Sequence, residues 1–297
     1  IEQAMITGIV IGALSAAAFL PQTDTIVQAD GASRFELSSL RGEVVVRTWD
    51  RDAVRVVAHH PDSYSIEISR SGRTISVEPD MDRGYGMAGG VDFELTVPKN
   101  FDLDIEGMAL AVDILGVEGQ VEVGTVHGPI KLVGGRGDIV LESVNGPVLL
   151  EGAQGDMDVT GIAGGVTIRD CIGDIYAQSV GGELILENVR SSDVEIGSVG
   201  GDVRYEGTIE DGGTYNFGSH GGEILLMLPA NINAHFEVIS LAGNIEFDYP
   251  GAPTEPTRGS GIPGLGGKEM SFELGTGSAR IEVETFGGTV RIQRGGG

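Results

Sequence analysis

VHGPIKL at 126–132, VNGPVLL at 144–150, IAGGVTI at 162–168, VGGELIL at 180–186 and VGGDVRY at 199–205 repeat one phrase at a nearly fixed interval. HGGEILL at 220–226 and LAGNIEF at 241–247 carry it on with looser timing. The shared glycines are Gly128, Gly146, Gly164, Gly182, Gly201, Gly222 and Gly243, separated by 18, 18, 18, 19, 21 and 21 residues. A second series, Gly119, Gly137, Gly155 and Gly173, falls midway, again 18 apart. Each repeat therefore holds two strand-length pieces, each opened by a glycine turn. A fixed period of this length is the mark of stacked units that bury an apolar edge only against their neighbours.

The register assigns an inside. The second and fourth residues after each glycine are apolar: Ile130/Leu132, Ile139/Leu141, Val148/Leu150, Met157/Val159, Val166/Ile168, Ile175/Ala177 and Leu184/Leu186. The residues between are mostly polar, as in a strand with one buried face. Two places before each glycine stand two further columns. Val126, Val144, Ile162, Val180 and Val199 form one; Val117, Gly135, Ala153, Cys171 and Val189 form the other. Both are expected to be inward-facing corners. Apolar spacing of two with glycine every nine residues suits no helix. The reading is an all-β, single-chain parallel β-helix (β-solenoid). Eight or nine coils from about Leu110 to Gly288 would give a rod on the order of 40 Å long at ~4.8 Å per coil.

Residues 23–105 alternate without that clock. Phe35/Leu37, Val44/Val46 and Val54/Val56 mark an apolar face, and Ser71-Gly72-Arg73 separates Ile66/Ile68 from Ile75/Val77 as a hairpin would. This portion is expected to be an antiparallel strand-rich N-terminal cap that hides the edge of the first coil. Asp80 to Gly90 is a glycine-rich loop. The β-helix is expected to occupy 106–297, interrupted by a Pro- and Gly-rich loop at 249–270 that leaves the stack, with Phe272/Leu274, Ile281/Val283 and Val290/Ile292 resuming strands.

Residues 1–22 contain Ile6 to Leu20, an uncharged apolar run with the length of a signal-peptide core, followed by polar sequence from Pro21. No basic residue precedes it, and Met5 is a plausible start. The segment is expected to be a signal peptide or N-terminal anchor, making the protein extracytoplasmic: periplasmic, in the cell envelope or on the cell surface.

The chain of 297 residues carries 49 glycines, about twice the usual share, with 40% hydrophobic residues, enough to fold. Its net charge is −25. A field of that sign repels phosphate backbones and anionic headgroups, so nucleic acid is excluded as a partner class. The single cysteine, Cys171, permits neither an intrachain disulfide nor a cysteine zinc cage.

TDTIVQADGASRFELSSLRGEVVVRTWDRDAVRVVA, VDFELTVPKNFDLDI, the repeated S-V-x-G-x-V/I coils, EILLMLPANINAHFEVISLAGNIEF and GTGSARIEVETFGGTVRI together resemble the DUF4097 "putative adhesin" family, from about Thr23 to Arg294. The resemblance implies a right-handed parallel β-helix similar to head GIN adhesin-like domains, in extracytoplasmic bacterial proteins. It implies no enzyme activity and no agreed ligand.

Asp138, Asp156 and Asp174 each follow a midway glycine and should stack on one edge, with Asp193 near the same column. They could form a calcium ladder, or be solvated turn aspartates, the reading the phase favours. Carboxylate pairs Asp102/Asp104 and Asp156/Asp158 have the spacing hydrolytic acids need, but 44 acidic residues make such pairs common. Aromatics are 5% of the chain, too few for sugar platforms. None of His59, His60, His127, His220 and His235 has metal-ligand spacing. His127 shares its column with Asn145, Gly181 and Gly200, company that suggests a left-handed turn position. Gly197-Ser198-Val199-Gly200-Gly201 is a repeat turn, not a nucleophile elbow, and Cys171 is expected to be packing.

No catalytic residue and no cofactor emerge. The function expected is a non-catalytic structural or adhesin-like role, a rigid acidic rod meeting an envelope protein or glycan, with self-association through the end coils as a further possibility. The alternatives are a carbohydrate-active β-helix enzyme and a calcium-binding solenoid.

Overall fold

The computed structural model describes residues 22–81, 89–253, 257–258 and 267–295. The apolar run at 6–20, most of the glycine-rich loop at 80–90 and much of the loop at 249–270 lie outside them. Among the described residues there is no helix, and so none long and apolar enough to cross a membrane.

The strands wind as a parallel solenoid. The residues meant to pile up inside do so: Val112, Ile130, Val148, Val166, Leu184, Val203, Ile224 and Val290 are successive partners in one column. A second column on the facing sheet runs Leu103, Val121, Ile139, Met157, Ile175, Val194, Tyr215 and Ile281. All of these side chains are buried. The two columns face each other across the coil and form the apolar core.

Parallel winding begins ahead of the periodic glycines. The strand Arg34–Trp49 turns a corner at Gly42 and pairs in parallel along Asp102–Leu115. Its outer edge is covered by Thr74–Met81 and Asp92–Pro98. These strands belong to antiparallel pairings, Tyr64–Ser71 with Thr74–Met81 and Ala53–His59 with both Gln22–Gln28 and Asp92–Pro98. The first rung is thus closed to further strands.

At the other end spatial order departs from chain order. The strands Ala279–Thr285 and Val290–Arg294 lie between the coil of Thr214–Ser219 and Ile224–Leu228 and the coil of Ala234–Ser240 and Ile245–Asp248. The last coil in the chain is intercalated, not appended. The outermost strand Ala234–Ser240 is covered in turn by Lys268–Leu274, running antiparallel. Phe272 stacks on Phe236 there at 4.9 Å, with Phe247 edge-on to both.

The repeated glycines answer to a close approach. A Cβ on Gly146 would lie far inside contact distance of the Gly128 carbonyl oxygen. The same holds for Gly164 on Gly146, Gly182 on Gly164, Gly201 on Gly182, Gly222 on Gly201, Gly288 on Gly222 and Gly243 on Gly288. At this corner each coil rests its backbone on the carbonyl of the coil before, leaving no space for a side chain.

A paired substitution isolates this contact. Gly164→Ala must displace the Gly146 carbonyl, whereas a Cβ on its near neighbour Gly181 meets only the Ile162 carbonyl at 3.8 Å. Gly164→Ala is expected to cost about 1–3 kcal/mol and Gly181→Ala to stay within about 0.5 kcal/mol of wild type, read as urea midpoints.

Candidate functional site

The glycine corner has an inner and an outer column, and the sequence reading of them was off by one place. Val126, Val144, Ile162, Val180 and Val199 do not face inward. Val126 is 37%, Ile162 42%, Val180 49% and Val199 53% exposed, and Val144 is half-buried. The inward positions are one residue earlier: Thr125, Ser143, Gly161, Ser179, Ser198 and Ser219, with Thr285 and Ser240 in the same column. All but Gly161 carry hydroxyls, which are buried but used. Ser179 Oγ donates to the Gly182 carbonyl at 2.7 Å and Ser198 Oγ to Gly201 at 2.6 Å. Ser143 Oγ accepts from Gly146 N–H at 2.9 Å, and Thr285 Oγ1 from Gly288 N–H at 3.1 Å. A small hydroxyl bonded to the turn three residues on is a satisfied inside residue, and the next residue must point out. The other corner follows expectation, with Val117, Ala153, Cys171 and Val189 buried.

The outward column is continuous. Backbone bonds from coil to coil place Met108, Val126, Val144, Ile162, Val180, Val199, His220, Phe286 and Leu241 in file, and Leu40 stands on the rung before Met108. His220, the single polar member, stacks on Phe286 at 4.8 Å. Nine steps of ~4.8 Å make an apolar ridge about 43 Å long. One flank carries His127 and Asn145 on its first coils and is nearly bare of side chains beyond them, with Ala163, Gly181, Gly200, Gly221 and Gly287. Apolar surface so exposed and contiguous marks a contact region more often than scattered apolar residues do.

Where the ridge meets the N-terminal portion it becomes one wall of a cleft of about 610 Å³. The hairpin supplies the facing wall through Tyr64, Glu78, Pro79 and Met81; the ridge supplies Leu40, Met108, Val126, Val144 and Ile162. Glu78, Glu106 and Glu142 also line it and are exposed, and Arg41 is the one basic residue lining it among the described residues. Backbone groups along the ridge are already spent in coil-to-coil bonds, such as Asn145 N–H to the Val126 carbonyl and Ala163 N–H to Val144. The ridge wall can therefore recognise a ligand through side chains only.

The other sequence candidates form no enclosed site. Asp138, Asp156, Asp174 and Asp193 do line one shallow face, but they point outward as an exposed file. Asp138 accepts a hydrogen bond from the Gln120 side chain at 2.7 Å. Among the described residues no group of three His, Cys, Asp or Glu side chains converges as a metal site would. Asp104 is ion-paired with Arg34, and Asp102 accepts from Gln120 N–H at 3.0 Å, so that pair is engaged in holding adjacent coils. His127 and Asn145 are not in the left-handed region. That conformation falls at the opposite corner, in Gly134, Gly152, Asp170 and Asn188. Instead His127 Nδ1 lies 3.3 Å from Asn145 Nδ2, a contact between side chains on successive coils.

Two outcomes follow for solution work. Cys171 is fully buried and its thiol is pushed up to about 11, chiefly by burial. Because the thiolate is the reactive form, folded protein at pH 8 should be inert to a thiol reagent that titrates one equivalent in urea. The outward file of aspartates should leave the melting temperature unchanged between added calcium and chelator; a rise with calcium would support the ladder.

A family model described as Toastrack DUF4097 matches residues 32–293. A solved structure described as "a putative cell adhesion protein" from Clostridium sporogenes is similar at 11% identity, over 92% of this chain and 99% of that one, with a TM-score of 0.23. No curated protein matches.

Proposed function

Since the chain belongs to the Toastrack DUF4097 family, we propose that it is a non-catalytic, extracytoplasmic binding rod whose contact surface is the outward ridge at the glycine corner. The observation that carries this reading is the apolar file from Leu40 to Leu241, broken by His220, beside a flank of glycine and alanine from Ala163 onward. A stiff solenoid needs apolar side chains inside; a file of them outside is surplus to winding. The apolar run at 6–20 supports export, and the net charge of −25 keeps a long exposed rod soluble while the ridge makes contact. The adhesin-like role is then attachment to an envelope component by shape and apolar contact, with no bond made or broken.

The test compares capture from an envelope fraction of the source organism by the wild type and by Val126→Asp/Val180→Asp. Both sites are exposed, Val126 at 37% and Val180 at 49%, so each substitution should cost no more than about 1 kcal/mol. The wild type should retain a discrete component that the double variant loses. An unchanged captured set would end the ridge reading.

A further inference from the structure

We propose that the cleft between the hairpin and the ridge is a docking site for a basic, proline-rich segment of a partner protein in the polyproline II conformation. This rests on the ridge being the contact surface and names what sits at its N-terminal end. Three observations select that occupant.

The first is charge. Glu78, Glu106 and Glu142 line the cleft, all exposed, and no ion pair engages any of them among the described residues. On neighbouring coils Asp113 is matched by Arg47 at 2.8 Å and Glu187 by Arg169 at 2.8 Å, whereas the described lining of the cleft sets three glutamates against Arg41 alone. A cationic ligand supplies what the cleft lacks. A second copy of this chain brings a further net charge of −25 and is disfavoured.

The second is the spent backbone. Val126 N–H donates to the Gly107 carbonyl and Val144 N–H to Thr125, so an added β-strand would find no ladder to join. A polyproline II segment makes no ladder. It has no internal hydrogen bonds, keeps its backbone solvated, and docks on apolar grooves at low entropic cost.

The third is spacing. Glu106, Gly124 and Glu142 are successive partners in one outward column, so the two carboxylates are two coils apart, about 9.6 Å. Polyproline II repeats every three residues, about 9.3 Å. Cations at positions i and i+3 would face Glu106 and Glu142 together, with the side-chain-free Gly124 between them. The intervening prolines would rest on Met108, Val126 and Val144. From Leu40 to Ile162 the cleft spans about 19 Å, room for about six residues of such a segment.

Fluorescence anisotropy with three labelled peptides tests this on the whole chain: (Lys-Pro-Pro)4, (Glu-Pro-Pro)4 and (Lys-Gly-Gly)4. The expected result is saturable binding of the first, none of the second, and several-fold weaker binding of the third. Glu106→Gln and Glu142→Gln should each weaken the first by roughly threefold, the scale of one exposed ion pair. Asp174→Asn, on the remote acidic file, should leave it unchanged. No binding of (Lys-Pro-Pro)4, equal binding of (Lys-Gly-Gly)4, or an Asp174→Asn effect equal to that of Glu106→Gln would overturn the proposal. So would a dimer in light scattering that Val144→Asp dissolves, since a second copy would then own the cleft. If the ridge variants lose envelope capture while (Lys-Pro-Pro)4 fails to bind, the ridge reading stands and this occupant alone is refuted.

Discussion

At the corner where Gly128, Gly146, Gly164, Gly182, Gly201 and Gly222 stack, each coil lies so close on the carbonyl of its predecessor that no Cβ fits. Parallel strands about 4.8 Å apart can turn together only if the turns nest as closely as the strands do. Bare backbone at the same point of every coil is how this chain nests them. The facing inner columns then align without adjustment, because successive apolar residues are brought into register by the same turn. The hydroxyls of Ser143, Ser179 and Ser198 complete the device by bonding the turn from inside, where an unpaired polar group would be costly.

That constraint explains what was legible in the sequence. A steric requirement admits one residue type, so it writes a clock, and the clock led directly to the column of Ile130, Val148, Val166 and Leu184. The ridge is not legible by alternation, because a count carried back across the turn from Gly128 places Val126 on the inside. Within a strand the period of two holds: Val121, Val123 and Thr125 are all inside. The turn does not keep that period, so a count through it lands on the wrong face. Polarity misled in the same direction, since serine reads as outside and valine as inside unless the turn bond is known.

The intercalated last coil left no signal of its kind. Coils of one period are interchangeable in register, and Gly288 fits between Gly222 and Gly243 as well as any repeat glycine would. What holds the order is specific to a few side chains. Asn233 bonds Asp211 at 3.1 Å and Ser278 bonds the same carboxylate at 2.8 Å, tying three chain-distant segments at one point. Arg291 bridges Glu223 and Glu246, the coils on either side of its own. Such contacts bring together residues far apart in the chain, and spacing carries no information about them.

Winding alone does not account for the ridge. The outward column one step inside the strand, Glu106, Gly124, Glu142, Thr160, Gln178, Gly197 and Gly218, is chemically mixed. A solenoid exterior facing water at every coil tolerates such mixing, because no neighbour requires one residue type there. The adjacent file over the same coils is apolar but for His220, with Met108, Val126, Ile162, Val180 and Val199 at exposures from 37% to 56% and Val144 half-buried. Stacking between coils covers part of each side chain and favours bulk, yet Leu40 and Met108, at the end of the file, are 54% and 56% exposed and still apolar. Those two sit where the hairpin approaches and the unpaired glutamates gather, so apolar character persists where coil stacking covers least and a second wall stands opposite. Winding and coil stacking therefore supply no cause for the apolar character of Leu40 and Met108.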